Sequence, residues 1–510
     1  MRESSLASNP RLNPNDLIQK GVSLHNLGLL SEAKVHYRRA LKTAPKNANL
    51  HHLLGVLAMQ EGLWDDALKW WKKASSLDPC NPDYLSNIAG IYINRKEFKR
   101  AEELASRALV LMPQHRQALR NLGTALSEQR KDEEAFSVLN KLAQIDPQNP
   151  DAFLALGRVA IKLGRIDEGR TYLEKAVQIA PTHEEALYAA LAVKLPFLPM
   201  EAQGPECLGF LKQVQTPALP RADILLRLAI YFWVVRDFES VKKTLAFFLQ
   251  IPLPSDKEQN RKRTIMESYV LFLNGLLGRN PKPFQNPLPD KKIFLIGDSH
   301  CLSYAGEIIS LAGQAHHVVP HFIAGTKAWH LISGVQPLTI PSFRAALSFM
   351  PKGAQCWLSF GEIDCRINEG IQTVKRSSDQ SLEALARQTA SAYVRSTLEI
   401  ARSYGIAPSY LNVPAPYISR LSQTYQGLTK DEITRHIQTI AWFNDALREA
   451  AHAQGCGVID LYALTVNEDG VADGTFHLDD VHLVHSALGG CCRGIKEKIC
   501  HETALLNKSS

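Results

Sequence analysis

Helical patterns of apolar and polar residues fill the first half of the chain, and prolines punctuate them at 45, 79, 113, 147 and 181. The spacing is 34 residues throughout, a period that signals a stack of helical hairpins. Small and bulky residues return at matching places within the units. The first has Gly21, Ala33 and Tyr37, with Ala40 before Pro45; the second has Gly55, Ala67 and Trp71, with Ala74 before Pro79. Ala89, Ala101 and Ala108, then Gly123, Ala135 and Leu139, then Gly157, Gly169 and Ala176 continue the series. Where two helices cross, only Gly or Ala lets the backbones approach, and the larger residue fills the groove beside them. A proline cannot continue the second helix, so it ends the unit. After Pro181 the register fades, although helical patterns persist through Glu184–Lys194, Ala222–Leu249 and Thr264–Leu277. Leu195–Leu219 and Asn280–Asp290 are proline-rich; the first is expected to be an irregular break and the second a linker. From Lys291 the pattern changes. Apolar runs at Ile293–Ile296, His317–Ile323, Gln355–Phe360, Ala407–Val413 and Gly457–Leu461 read as strands, with helices between them at Leu382–Tyr404 and Lys430–Gln454. That alternation predicts a parallel sheet of about five strands between helical layers.

The 34-residue units resemble tetratricopeptide repeats. The resemblance implies a superhelix whose concave face binds a protein or peptide segment, because single hairpins cannot bury their apolar faces alone. A polar row at one repeat position, Asn26, Gln60, Asn94, Glu128 and Lys162, is a candidate lining for that face; the alternative is that these are solvated helix positions. The expected fold is thus multidomain: an N-terminal all-α tetratricopeptide solenoid and a C-terminal α/β three-layer sandwich. The expected boundaries are 14–183 for five repeats, 184–279 for capping and bridging helices, 280–290 for the linker and 291–505 for the sheet domain.

Three motifs in the last part carry chemistry. In IFLIGDSHCLSY an apolar strand ends at Gly297-Asp298-Ser299-His300 and a helix is expected to follow, which exposes a serine hydroxyl at a strand-to-helix junction. CWLSFGEIDCR again ends a strand in glycine and acidic residues, and FHLDDVHLVHS sets Asp479 three residues before His482. Serine with Asp-x-x-His supplies a nucleophile, a base and a group that orients the base. The last 220 residues or so resemble the SGNH, or GDSL-like, hydrolase superfamily. By that resemblance Ser299 is the nucleophile, His482 the base and Asp479 its partner, and the N–H groups of Ser299 and Gly325 (in FIAGTKAW) belong to the oxyanion hole. The NVPAP segment also resembles the superfamily. One block departs from the pattern: GEID places Ile363 where the family has an oxyanion asparagine, and losing one such donor costs ~2.7–4 kcal/mol of transition-state stabilisation. Arg366 or a backbone N–H is the candidate substitute. Related domains lacking the asparagine include glycan O-acetyltransferases, so the resemblance implies an acyl group carried on Ser299 and passed to water or to a sugar hydroxyl. Asp298, His300, Glu362, Asp364 and Arg366 are candidates to line a polar, sugar-sized pocket, or else to tie their loops together.

Two rivals use the same residues. Asp298-x-His300 fits the first block of binuclear metallophosphoesterases, but the Asn-His and His-x-His blocks that such enzymes need are missing from the sequence. A glycan-binding scaffold with a degenerate hydrolase fold is the other. No spacing among the 17 histidines or the nine cysteines defines a metal site or a CxxC pair, so no metal or other cofactor is expected. Cys301 and Cys365, beside the motif loops, are expected to pack as small residues.

Composition narrows the setting. AVILMFWYC make up 45% of the 510 residues and DEKR 21%, an ordinary globular balance. The start, MRESSLASNP, lacks a signal-like apolar region, and with unpaired cysteines this predicts a cytoplasmic protein. Leu228–Val235, the most apolar stretch, is bounded by Arg227 and Arg236 and is far shorter than the ~20 residues a membrane span requires. The net charge is +7, but from Lys291 onward 19 Lys+Arg face 20 Asp+Glu, so the excess belongs to the repeat half. It is spread along helices instead of forming a block, which argues against nucleic-acid binding.

Overall fold

The computed structural model describes residues 13–198, 200–214, 222–250, 257–279, 288–323, 325–333, 336, 338–367, 369–418, 425, 427–479, 482–484 and 487. The chain forms two compact units, 1–179 and 180–510. The first is five helix pairs: Pro14–Asn26 with Leu30–Thr43, Ala48–Gln60 with Trp64–Leu77, Pro82–Asn94 with Phe98–Leu111, Arg116–Glu128 with Asp132–Ile145, and Pro150–Lys162 with Ile166–Ile179. Ala33, Ala67, Ala101 and Ala135 are all fully buried, as are Tyr37 and, to within 1%, Trp71 and Leu139. Each first helix is capped two residues after a proline or at the equivalent place. The side chains of Asn13, Asn47, Asn81, His115 and Asn149 accept a backbone N–H in the first turn, satisfying donors that the helix itself leaves open. These caps follow the 34-residue period too.

The second unit begins with helices Glu184–Lys194, Met200–Val214, Ala222–Val234, Phe238–Phe248 and Lys257–Gly278. The expected irregular break at 195–219 is therefore corrected: a helix occupies Met200–Val214 despite Pro205 inside it. Pro205 removes one ladder bond near the helix start, and burial of Cys207, Phe210 and Leu211 outweighs that loss. Most of the proline-rich linker, 280–287, lies outside the described residues, as does everything after Asp479 except 482–484 and 487.

Six strands follow: β1 Lys292–Gly297, β2 Ile308–Leu311, β3 Gln314–Phe322, β4 Gln355–Ser359, β5 Pro408–Leu411 and β6 Val458–Ile459. Their order is β2-β3-β1-β4-β5-β6, parallel except for the antiparallel β2–β3 pair. The five strands expected from sequence are present, and β2 is an addition. Its stretch IISL is only four residues long and buries just Ile309, and it ends in a turn at Ala312 and Gly313 with φ of 51° and 80°. β1 is buried from Ile293 to Gly297, as a central parallel strand covered on both faces must be. Phe294, Ile296, Leu358, Tyr393 and Phe443 join strands to the covering helices Leu382–Ser403 and Lys430–Ala453 in one core. The sheet grows from β1 toward β3 on one side and toward β4 on the other, so the crevice at their carboxyl ends is where a site is expected.

The small residues of the first unit have a measurable role. A Cβ at Gly55 would overlap the Trp71 indole, whose Nε1 donates to His52 O at 3.1 Å. Gly55→Val is expected to destabilise the repeat unit by about 1–3 kcal/mol through overpacking. An unchanged helical melting transition in circular dichroism would show that close approach at this crossing is not needed.

Candidate active site

β1 stops at Gly297 because the chain must pass close to β4 there: a Cβ at Gly297 would lie 2.8 Å from Ser359 O. Asp298 then caps a six-residue 3-10 helix, Ser299–Tyr304, at the place where a helix is expected from sequence. Its Oδ1 accepts from His300 N at 3.0 Å and lies 2.9 Å from His300 Nδ1. Trp233 Nε1 donates to Leu302 O at 2.7 Å, so the helix Ala222–Val234 braces the far end of this turn.

The Asp-x-x-His segment closes on itself. One oxygen of Asp479 accepts the backbone N–H of His482 at 2.7 Å, and the other lies 2.8 Å from its Nδ1. The carboxylate thereby holds both the backbone and the ring. His482 Nε2 reaches Ser299 Oγ at 2.9 Å across 183 residues of sequence. Ser299 is 4% exposed and the His482 side chain 12%. Phe272, from the helix Lys257–Gly278, stacks on the imidazole with centroids 4.0 Å apart and planes at 23°. Sequence reasoning missed Phe272, since a single aromatic in a helical pattern reads as core packing.

Beneath the serine lies a layer of buried charge. Burial alone would lower the His300 pKa, but the charge and hydrogen bond of Asp298, helped by Glu362, raise it to about 9. Glu362 is also buried, which would raise its pKa; the charges of Arg366 and His300 win and hold it below the usual value. Arg366 Nε lies 2.9 Å from both Glu362 oxygens and its second nitrogen 2.7 Å from Oε2. The fork is taken up by this pair, which weakens Arg366 as a replacement oxyanion donor. Burial raises the Asp364 pKa to about 7, partly offset by its bonds from Ala328 N at 2.7 Å and Trp329 N at 3.2 Å. Asp298, His300 and Asp364 are all under 7% exposed; the first two bond each other within the loop after β1, and Asp364 ties the loop after β4 to the one after β3. Asp364 also borders a cavity of about 650 Å³ with Lys327, Trp329, His330, Glu369 and Gln388.

Gly325 sits exposed in the turn after β3 with φ 61° and nothing near its Cβ position. Cys301 and Cys365 are fully buried. No helix among the described residues is long and apolar enough to cross a membrane, and no group of three or more His, Cys, Asp or Glu among them is placed to hold a metal. In the first unit Asn26, Gln60, Asn94, Glu128 and Lys162 are each exposed and each end the first helix of a hairpin. Some of their capacity is used between repeats: Gln60 Oε1 meets His25 Nε2 at 2.7 Å, and Lys162 Nζ donates to Ser127 Oγ at 2.8 Å. Asn94 borders a surface cleft of about 500 Å³ with Trp64, Ile91 and Arg95.

Models of the tetratricopeptide repeat match residues 19–82, 91–150 and 126–195. The first 200 residues or so are a tetratricopeptide-repeat array, a module of protein–protein interaction. Similar curated proteins include the human N-alpha-acetyltransferase 16, NatA auxiliary subunit, 27% identical over 113 residues, which are 22% of this chain and 13% of that one. The Type IV pilus assembly protein PilF of Pseudomonas aeruginosa is 28% identical over 120 residues, 23% of this chain and 48% of that one. The chain thus spans less than half the length of either relative. Among solved structures, a tetratricopeptide repeat protein from Parabacteroides merdae is 17% identical, covering 51% of this chain and 98% of that one with a TM-score of 0.39. Pseudomonas aeruginosa PilF covers 41% and 94% at 22% identity and a TM-score of 0.36.

The buried His300–Asp298 pair makes stability depend on pH. His300 binds its proton more tightly folded, with a pKa of about 9, than unfolded, at 6.5. Its contribution is therefore full below pH 6.5 and lost as pH rises through about 9. Urea unfolding between pH 6 and 10 is expected to show stability falling with pH, with a shallower fall in Asp298→Asn. An equal slope in both proteins would exclude the pair as the source.

Proposed function

We propose that the second unit is a serine esterase or O-acyltransferase of the SGNH type, working on an acylated carbohydrate or a similar small ester. The observation that carries this reading is the unbroken chain from Asp479 Oδ2 through His482 to Ser299 Oγ, with both contacts under 3 Å. Nε2 takes the serine proton as Oγ attacks the acyl carbon, and Asp479 fixes the tautomer and steadies the imidazolium. The imidazolium then protonates the departing alkoxide, leaving the acyl group on Ser299. In the second half Nε2 accepts a proton from water or from a sugar hydroxyl as its oxygen attacks the acyl carbon, and the imidazolium returns that proton to Oγ as the acyl–Oγ bond breaks. The N–H groups of Ser299 and Gly325 serve the developing oxyanion. The cavity beside Asp364 suits a sugar: Trp329, 48% exposed, offers an aromatic face and Lys327, Glu369 and Gln388 offer polar groups.

The repeats would bring this chemistry to a protein partner through their concave face, with Asn26, Gln60, Asn94, Glu128 and Lys162 along one end of the hairpins. A non-catalytic glycan-binding scaffold is the second reading, favoured by Ile363 in place of the asparagine.

Hydrolysis of a short-chain aryl ester by the full chain is the direct test. Ser299→Ala and His482→Ala are each expected to lower kcat by at least about a thousandfold, as in other triads. A protein that binds acylated oligosaccharide but turns over no ester would favour the scaffold.

A further inference from the structure

Charge is unevenly shared among the five hairpins of the first unit. The first hairpin, residues 14–47, carries six Lys and Arg against two Asp and Glu, while the other four, 48–183, together carry 18 against 17. In those four, many cations are taken up by carboxylates inside the array: Arg95 by Asp65, Arg116 by Asp146, Arg120 by Asp151, Lys131 by Glu102 and Arg165 by Glu133. In the first hairpin Lys34 alone is paired, with Glu61 of the next repeat. Lys20, Arg38, Arg39, Lys42 and Lys46 are exposed and form no ion pair among the described residues.

Helical geometry gathers most of these cations. Val35, Arg38, Arg39 and Lys42 follow the spacing i, i+3, i+4, i+7, so they share one side of the helix Leu30–Thr43. That side is turned away from Ala33, Tyr37 and Ala40, which are buried against the rest of the array. Lys46 comes four residues after Lys42, in the turn that follows the helix. Val35 places an apolar side chain, 54% exposed, beside the charges. The helix dipole favours a cation in the last turn, which accounts for Lys42 but not for the Arg38–Arg39 pair. Like charges three and four residues apart also weaken a helix, and nothing within the chain offsets that cost here.

We propose that this face of the first hairpin docks an acidic, amphipathic segment of a protein partner, with carboxylates on Arg38, Arg39, Lys42 and Lys46 and an apolar residue against Val35. Each guanidinium donates a matched pair of N–H groups to one carboxylate, a geometry that a lysine cannot offer. A phosphate backbone answers the charges but leaves Val35 unmatched, and the array is a module of protein–protein interaction. The face lies on the second helix of its hairpin, apart from the polar row that ends the first helices, and its role holds whether or not Ser299 turns over an ester.

The test uses the full chain and a fluorescein-labelled helical peptide with Glu at i, i+3, i+4 and i+7 around one Leu, followed by fluorescence anisotropy. Binding is expected at low salt and is expected to weaken as salt rises, because exposed charges are screened. Arg38→Gln, Arg39→Gln and Lys42→Gln together keep the helix propensity and are expected to weaken binding about tenfold and to flatten its salt dependence. Lys73→Gln, Arg107→Gln and Lys141→Gln together remove the same charge from exposed positions of later repeats and are expected to leave binding as in wild type. An equal loss in the two triple variants shows attraction to net charge alone and overturns the proposal, as does a wild-type chain that leaves the peptide anisotropy unchanged. Val35→Ser is expected to cost a smaller factor, about two to five, with the salt dependence kept; full affinity in that variant overturns the apolar contact. A single-stranded oligonucleotide of equal net charge that binds wild type more tightly than the peptide, and loses that binding in the first triple variant, assigns the face to nucleic acid and overturns the protein partner.

Discussion

The organisation of the second unit depends on the full burial of β1 between β3 and β4. A strand covered on both faces has to be apolar along its length, and its polar functional groups can appear only where it ends. Gly297 permits the close pass against Ser359, and Asp298 immediately spends one carboxylate oxygen on capping the next turn. Ser299 is thereby held at the mouth of the crevice where the sheet changes its direction of growth. The loops after β3 and β4 arrive at the same edge, so a single strand end organises three loops.

Asp364 joins the loop after β4 to the one after β3, while the other buried ionic groups pair within their own loops. Asp298 with His300, Glu362 with Arg366, and Asp364 with two backbone N–H groups are all largely removed from water. Desolvating charges of this kind costs several kcal/mol per ion, and the attraction returns it only with good geometry, so such pairs specify an arrangement more than they add stability. Glu362 and Arg366 are occupied with each other and Asp364 with backbone N–H groups, while Asp298 bonds His300 through Oδ1 only.

The helices at 184–279 do more than connect two folds. Trp233 and Arg236 bond to the backbone of Leu302 and Ala305 at the far end of the Ser299 turn, and Phe272 covers the histidine. A side chain that packs against an imidazole also limits its rotation and excludes water from it, which is how a neighbouring layer can shape a site it does not belong to.

Much of this was legible in the residues. The 34-residue period determined the array of hairpins, because proline stops and small residues at helix crossings act locally and repeat with the structure. The apolar runs determined five of the six strands, and the order GDSH, FGEIDCR, DxxH identified the residues that meet at the crevice. What the sequence did not carry is whatever depends on contacts between distant segments. β2, only four residues long, pairs along the edge of β3 and buries just Ile309. The helix at Met200–Val214 forms because its apolar face is buried, against the advice of Pro205. Phe272 looks like any aromatic on a helix, and only tertiary packing brings it to His482, since adjacency across a fold leaves no mark on local spacing.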